Sequence, residues 1–246
     1  MTHLPIAWLR PGSPALFPPP AQALREPDGL LALGGDLSTE RLLAAYRHGI
    51  FPWYGQDEPI LWWSPDPRCV FDTQHLHPGR TLRRQMRRSR WTVTIDQAFR
   101  EVMLACAAPR ADQHGGTWIT DDMIGAYAAL HAAGHAHSIE VWDGETLVGG
   151  LYGVAVGRMF CGESMFSAVS GGSKVALTCL GQLLHRWGFP LLDAQVGNPH
   201  LYRMGARNMP RCEYLMQLDA LSQASPASDA FRLEAPTPIQ HVDFFM

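Results

Sequence analysis

At 246 residues, 46% of them hydrophobic and 17% charged, the chain can bury a large core and does not read as disordered or fibrous. A net charge of −3 argues against nucleic-acid binding by overall charge. Without a bilayer-length apolar run or a basic start followed by an apolar core, the sequence predicts a cytoplasmic protein with neither membrane span nor signal peptide. Five cysteines, none in a Cys-x-x-Cys pair, point to reduced thiols rather than a disulfide scaffold or zinc ribbon.

Residues 1–27 carry many prolines and read as an extended arm. Asp28-Gly29 and Gly34-Gly35 bracket a short apolar strand. Ser38 is placed to cap a helix through Arg47, with Leu42, Leu43 and Tyr46 on its apolar side and Gly49 as the stop. Ile50-Phe51-Pro52-Trp53-Tyr54 and Leu61-Trp62-Trp63 set aromatics beside prolines, which suits a rigid wall or a domain interface. Pro65 and Pro67 mark the expected boundary between a small N-terminal domain (1–66) and a larger one (67–246).

Beyond it, 69–72 and 91–95 read as strands. Residues 81–90 form a basic helix, and a further helix begins at Asp96 with Phe99, Val102, Met103 and Cys106 on one face. A loop is expected over 107–116, then a helix capped by Asp121 or Asp122 and closed by Gly134. Strands at 135–142 and 146–156 are joined by the Asp143-Gly144 turn. A helix with Leu177, Leu180, Leu184 and Trp187 buried follows Ser173, then a strand at 191–196. From Leu218 the sequence weakens to a Ser/Ala/Pro-rich tail. Helices alternating with partly antiparallel strands predict an α+β fold behind a small N-terminal α/β domain.

The centre of the chain is Phe160-Cys161-Gly162-Glu163-Ser164-Met165-Phe166-Ser167, one carboxylate in an apolar run. Downstream, period-two alternation puts Asp193 and Gln195 on one face and Leu192, Ala194 and Val196 on the other. Polar groups in apolar strands need partners or a ligand, so Glu163, Asp193 and Gln195 form the candidate chemical site; a satisfied core network is the competing account. Arg80, Arg83, Arg84, Arg87, Arg88 and Arg90 fall in a stretch without an acid and fit either phosphates or a solvated helix face. His131, His135 and His137 lack zinc spacing. Gly171-Gly172-Ser173-Lys174 lacks the phosphate-loop signature, although a glycine-rich helix start can bind an anion or act as a plain cap.

Several motifs occur in a fixed order: Leu42-Leu43-Ala44-Ala45-Tyr46 with Gly49-Ile50-Phe51-Pro52-Trp53, Trp62-Trp63-Ser64-Pro65-Asp66-Pro67-Arg68, Gly116-Thr117-Trp118-Ile119, His135-Ala136-His137-Ser138-Ile139-Glu140, Gly162-Glu163-Ser164-Met165-Phe166-Ser167, Ser173-Lys174 and Asp193-Ala194-Gln195. Together they closely resemble the bacterial leucyl/phenylalanyl-tRNA–protein transferase family over residues 24–206. The chain departs from the family pattern at Gly171-Gly172, Ala194 and Arg203-Met204.

The resemblance implies an acetyltransferase-like (N-acyltransferase) fold for the larger domain. It implies transfer of Leu or Phe, and less well Met, from aminoacyl-tRNA to an N-terminal Arg or Lys of acceptor proteins, creating an N-degron. It places Glu163 in the active site and lines that site with Tyr46, Trp53, Trp118 and Phe160; Met165, Phe166 and Ser167 are expected at the same substrate pocket. Arg80, Arg83, Arg84, Arg87, Arg88 and Lys174 are expected to meet tRNA. Asp193 is expected to act as base through Gln195, unless the leaving ribose hydroxyl takes the proton. The donor ester is already activated, so the reaction calls for no metal or cofactor. An acyl-CoA-dependent N-acyltransferase would want a pyrophosphate loop that the sequence lacks, and a non-catalytic tRNA-binding module would leave Glu163, Asp193 and Gln195 unexplained.

Overall fold

The computed structural model describes residues 6–108, 117–233 and 235–239. Gly116 and most of the loop expected at 107–116 lie outside them. The N-terminal elements are β1 (Ala7–Leu9), β2 (Leu30–Gly34), α1 (Thr39–Arg47), β3 (Phe51–Pro52) and β4 (Leu61–Trp63). Their four strands run in the order β1-β2-β4-β3, with β1 and β2 parallel. Trp62 anchors this sheet: it is fully buried and donates its indole N–H to the Gly34 carbonyl at 2.8 Å. Ser38 caps α1 as its hydroxyl predicts. Arg41, 1% exposed, pairs with Asp36 and donates to the main-chain oxygens of Arg10, Ser13 and Pro14, which ties the arm to α1.

The larger sheet is built from β5 (Arg68–Asp72), β6 (Thr92–Ile95), β7 (Ala136–Asp143), β8 (Thr146–Val156), β9 (Met159–Ser167), β10 (Leu191–Gln195), β11 (Arg207–Met209) and β12 (Thr237–Pro238). Its order is β11-β5-β10-β9-β8-β7-β6-β12, and every pairing is antiparallel except that of β9 with β10. The helices are α2 (Arg80–Arg88), α3 (Phe99–Ala107), α4 (Asp121–Ala132), α5 (Gly172–Arg186), α6 (Pro199–Arg203) and α7 (Arg211–Gln223). α3 and α4 share one core with the small sheet and α1, through Leu42, Tyr46, Trp62, Met103, Tyr127 and Tyr152. α5 and Met86 of α2 belong to a second core with Val148, Phe160 and Leu192. α5 is apolar almost all round because it is buried almost all round. The architecture is α+β, a small N-terminal part beside a larger, eight-stranded mixed sheet flanked by helices.

Three boundaries differ from expectation for identifiable reasons. Asp96 has φ +58, so α3 starts only at Phe99. Thr120, not an aspartate, caps α4 by accepting from the Met123 N–H. The stretch read as a weakening tail begins inside α7, which starts after Pro210 and buries Tyr214 and Leu218 one turn apart. The tail itself is docked: Phe231 stacks on His137 at 3.7 Å and meets Phe160, Trp187 and Phe189, while β12 extends the sheet at β6.

Two irregularities shape the centre of this sheet. β9 pairs with β10 only as far as Cys161 opposite Asp193; beyond that point the parallel strands separate. Between β8 and β9, Tyr152 faces Ser164 while Gly153 faces Gly162, so Glu163 is the extra residue of a bulge. Gly153 makes that bulge possible, since a β-carbon there would lie 2.2 Å from the Cys161 oxygen. Gly153→Ala is expected to cost about 3 kcal/mol or more in urea denaturation. Gly125→Ala, on the exposed face of α4 with nothing within 4 Å of the added carbon, should instead stabilise by about 0.5–1 kcal/mol. Equal effects at the two sites would contradict the packing described.

Candidate active site

A cavity of ≈ 390 Å³ opens where β9 and β10 part. It draws walls from both faces of the sheet. Phe71, Leu151, Leu177 and Leu192 come from the α5 core, with Met165 packed against it. Phe51, Trp118 and Tyr152 come from the opposite core, and Glu163, Gln195 and Trp53 complete the polar and aromatic side. Trp53 is held by its neighbour, for Trp63 donates its indole N–H to the Trp53 carbonyl at 2.6 Å and the two rings lie 5.9 Å apart.

The bulge delivers Glu163 to the cavity wall. Its Oε2 accepts from the Tyr127 hydroxyl at 3.0 Å and its Oε1 from the Gln195 amide at 2.8 Å. Tyr127 and Tyr46 share a short hydroxyl–hydroxyl hydrogen bond behind it. Burial raises the Glu163 carboxyl to about 7, against the opposing effect of hydrogen bonds from Tyr46 and Tyr127. Both tyrosines are themselves held well above the usual phenol range, chiefly by burial, so they act as neutral donors.

Asp193 sits behind this wall, fully buried and not part of the cavity lining. Arg68 of β5 grips it with both ends of its fork, Nε to Oδ1 at 2.8 Å and Nη2 to Oδ2 at 2.7 Å. The Tyr214 hydroxyl and the Gln195 main-chain N–H add bonds of 2.9 Å each. Arg68 also donates to the Gly49 carbonyl at 2.9 Å, and its guanidinium lies over the rings of Phe51 and Tyr214. Burial works against the guanidinium's charge, but the Asp193 carboxylate outweighs it and raises the pKa. The alternation expected along this strand fails at a register shift between Asp193 and Gln195. Gln195 takes φ +55, unusual for a side-chain-bearing residue, and its amide turns to Glu163 while Asp193 faces Arg68.

The other expected site residues divide. Trp53, Trp118 and Met165 line the cavity, while Tyr46 is not a lining residue and stands behind Glu163 beside Tyr127. Phe160 is fully buried against Phe231, Phe166 is core, and Ser167 accepts from the Ser173 N–H at 2.8 Å; none of these three is a lining residue. Alternation along β9 sends Phe160 to the packed face, which explains its absence. Gly172 donates its N–H to Val169, so the glycine-rich start of α5 uses its first N–H groups internally. The α2 arginines and Lys174 are exposed, and none makes an ion pair among the described residues. His131 bonds the Ala136 carbonyl and His137 bonds Asp96, and no group of three or more ligating side chains that could hold a metal exists among the described residues. Nor, among them, is any helix long and apolar enough to cross a membrane.

Arg68 is the partner that sequence reasoning missed. Its signal was a charge leading into the apolar run Cys69-Val70-Phe71, which folding cannot bury unpaired. Next to the cavity, a second cleft of ≈ 910 Å³ is lined by Asp36, Glu58, Asp121 and Asp122 without a lysine or arginine. Arg68→Met should cost about 3–5 kcal/mol in urea denaturation, because it strands the Asp193 charge. Arg68→Met combined with Asp193→Leu should recover most of that loss; no recovery would contradict the pairing as the source of the effect.

Comparison with known proteins gives a consistent result. Residues 70–219 match the family model for leucyl/phenylalanyl-tRNA protein transferase, and residues 35–66 match the model for its N-terminal domain. A leucyl/phenylalanyl-tRNA–protein transferase of Xanthomonas axonopodis pv. citri is 62% identical over 226 residues, covering 92% of this chain and 90% of the relative. The one from Shewanella piezotolerans is 52% identical over 224 residues, covering 91% and 94%. The chain therefore belongs to the leucyl/phenylalanyl-tRNA–protein transferase family of aminoacyltransferases.

Proposed function

We propose that the chain moves leucine or phenylalanine, and less well methionine, from its aminoacyl-tRNA to the α-amine of an N-terminal Arg or Lys, so marking the acceptor protein as an N-degron. The observation that carries this reading is the Glu163 carboxyl, raised to about 7 at the wall of a mostly apolar cavity and held there by Gln195 and Tyr127. Phe71, Leu151, Met165, Leu177 and Leu192 offer an apolar pocket to the aminoacyl side chain. A methylene changes binding there by only about 1–3 kcal/mol, which suits a site open to Leu, Phe and Met. Trp53 and Trp118 present faces for the unpaired terminal adenosine, and the α2 arginines meet tRNA phosphates. Acid lining the neighbouring cleft favours acceptors that begin with a cation.

The amine nitrogen attacks the ester carbonyl carbon and the bond from that carbon to the ribose oxygen breaks. The proton shed by nitrogen passes to the Glu163 carboxylate and then to the departing ribose oxygen. Glu163 suits this shuttle because a group near neutrality can both take and return a proton. The Gln195 side-chain carbonyl faces the incoming amine and accepts from it. Asp193, whose oxygens are occupied by Arg68, Tyr214 and the Gln195 N–H, is a positioning residue in this scheme rather than the base.

Labelled leucine supplied as leucyl-tRNA should appear on a peptide beginning with Arg and not on the same peptide beginning with Gly, with no ATP or CoA added. Transfer from acetyl-CoA instead would overturn the donor assignment. In wild-type protein kcat/KM should rise as pH passes through about 7, where Glu163 of the free enzyme ionises. Glu163→Gln should remove that limb and lower kcat by about 10²-fold. A variant that keeps the limb would show that another group takes the proton.

A further inference from the structure

The stretches of chain that carry α2, α5 and α6 are nearly free of acid. From Thr73 to Ile95 the sequence has none, and from Ser164 to Cys212 it has only Asp193, which is buried against Arg68. α2 is held against α5 by Met86 and by Gln85, whose amide donates to the Ser170 carbonyl at 2.7 Å in the turn leading into α5. Lys174 is exposed on the first turn of α5, one turn before the cavity residue Leu177. On α6, Leu201 and the capping Asn198 line the same cavity, and the same short helix carries His200 and Arg203. His200 is held below the ordinary imidazole value by burial and then by the positive charges of Lys174 and Arg203, so each of these two cations lies within electrostatic reach of His200.

Neither Lys174 nor Arg203 makes an ion pair among the described residues. Like charges gathered without a counter-ion oppose one another, and the arrangement gains most from an anion between them. We propose that Lys174, His200 and Arg203 form a phosphate-binding rim that holds the backbone of the last nucleotides before the aminoacylated adenosine. This deepens the reading given under Proposed function and rests on it. The rim continues the α2 arginines towards the cavity, so a strand gripped at α2 is led to the aromatic wall. The site meets phosphodiester oxygens and reads no base.

Three donors separate the possibilities: phenylalanyl-adenosine, which has no phosphodiester, a phenylalanyl-CCA trinucleotide, and phenylalanyl-tRNA. The variant is Lys174→Ala combined with Arg203→Ala, two exposed positions outside the catalytic constellation. KM should rise about 10-fold for the trinucleotide and for tRNA and stay within about twofold for the adenosine donor. The salt dependence of trinucleotide binding should become shallower by about 0.7 in log–log slope for each phosphate that the variant no longer neutralises. Lys174→Arg with Arg203→Lys should restore most of the affinity. An unchanged trinucleotide KM, or an equal rise with the adenosine donor, overturns the rim. Wild-type protein that transfers from none of the three donors overturns the underlying function instead.

Discussion

The buried pair of Arg68 and Asp193 is the constraint on which the rest of the site depends. Two charges in a dry interior are costly unless geometry and further hydrogen bonds are nearly complete. Here they are: the fork is bidentate, Tyr214 and the Gln195 N–H fill the remaining acceptor positions, and Gly49 takes the third arginine donor. That network joins β5, β10, α7 and the end of α1, which come from widely separated parts of the chain. It also fixes the point at which β10 leaves β9. The parallel ladder ends at Asp193, and Gln195 then adopts a backbone conformation that the pair's hydrogen bond to its N–H supports.

From that parting the chemistry follows. A split sheet exposes strand interiors that would otherwise be packed, so a cavity appears with apolar walls from one core and aromatic walls from the other. The bulge at Glu163 aims a carboxylate into it, and Tyr127 and Gln195 satisfy one oxygen each. Removing water from around the carboxylate raises its pKa; hydrogen bonds from Tyr46 and Tyr127 limit that rise. The result is a group poised near neutrality beside space for an ester, which is what amide formation from an activated donor requires.

Much of this was legible in the sequence, and the failures have physical causes. Glu163, Asp193 and Gln195 stood out because polar groups in apolar strands demand partners, and the structure brings all three into one connected network. Their division of labour was not legible. Period-two alternation presumes an unbroken strand, and the register shift before Gln195 and the bulge at Glu163 are each made by long-range pairing that a local pattern does not contain. The same limit explains Phe160 and Phe166, aromatic like their neighbours but turned into the core, whereas Trp53 and Trp118 face the cavity. α7 was overlooked although Pro210 and the spacing of Tyr214, Leu215 and Leu218 announce it, because the Ser/Ala-rich residues that follow blurred its end.

Through this parting of strands the fold turns Glu163 into a group that titrates near neutral pH. A carbon-13 NMR titration of side-chain-labelled glutamate, with the Glu163 resonance assigned from its loss in Glu163→Gln, measures that directly. A midpoint of about 7 is expected for the free enzyme. A midpoint near the ordinary glutamate value of about 4.3 would contradict it and remove Glu163 from the proton path.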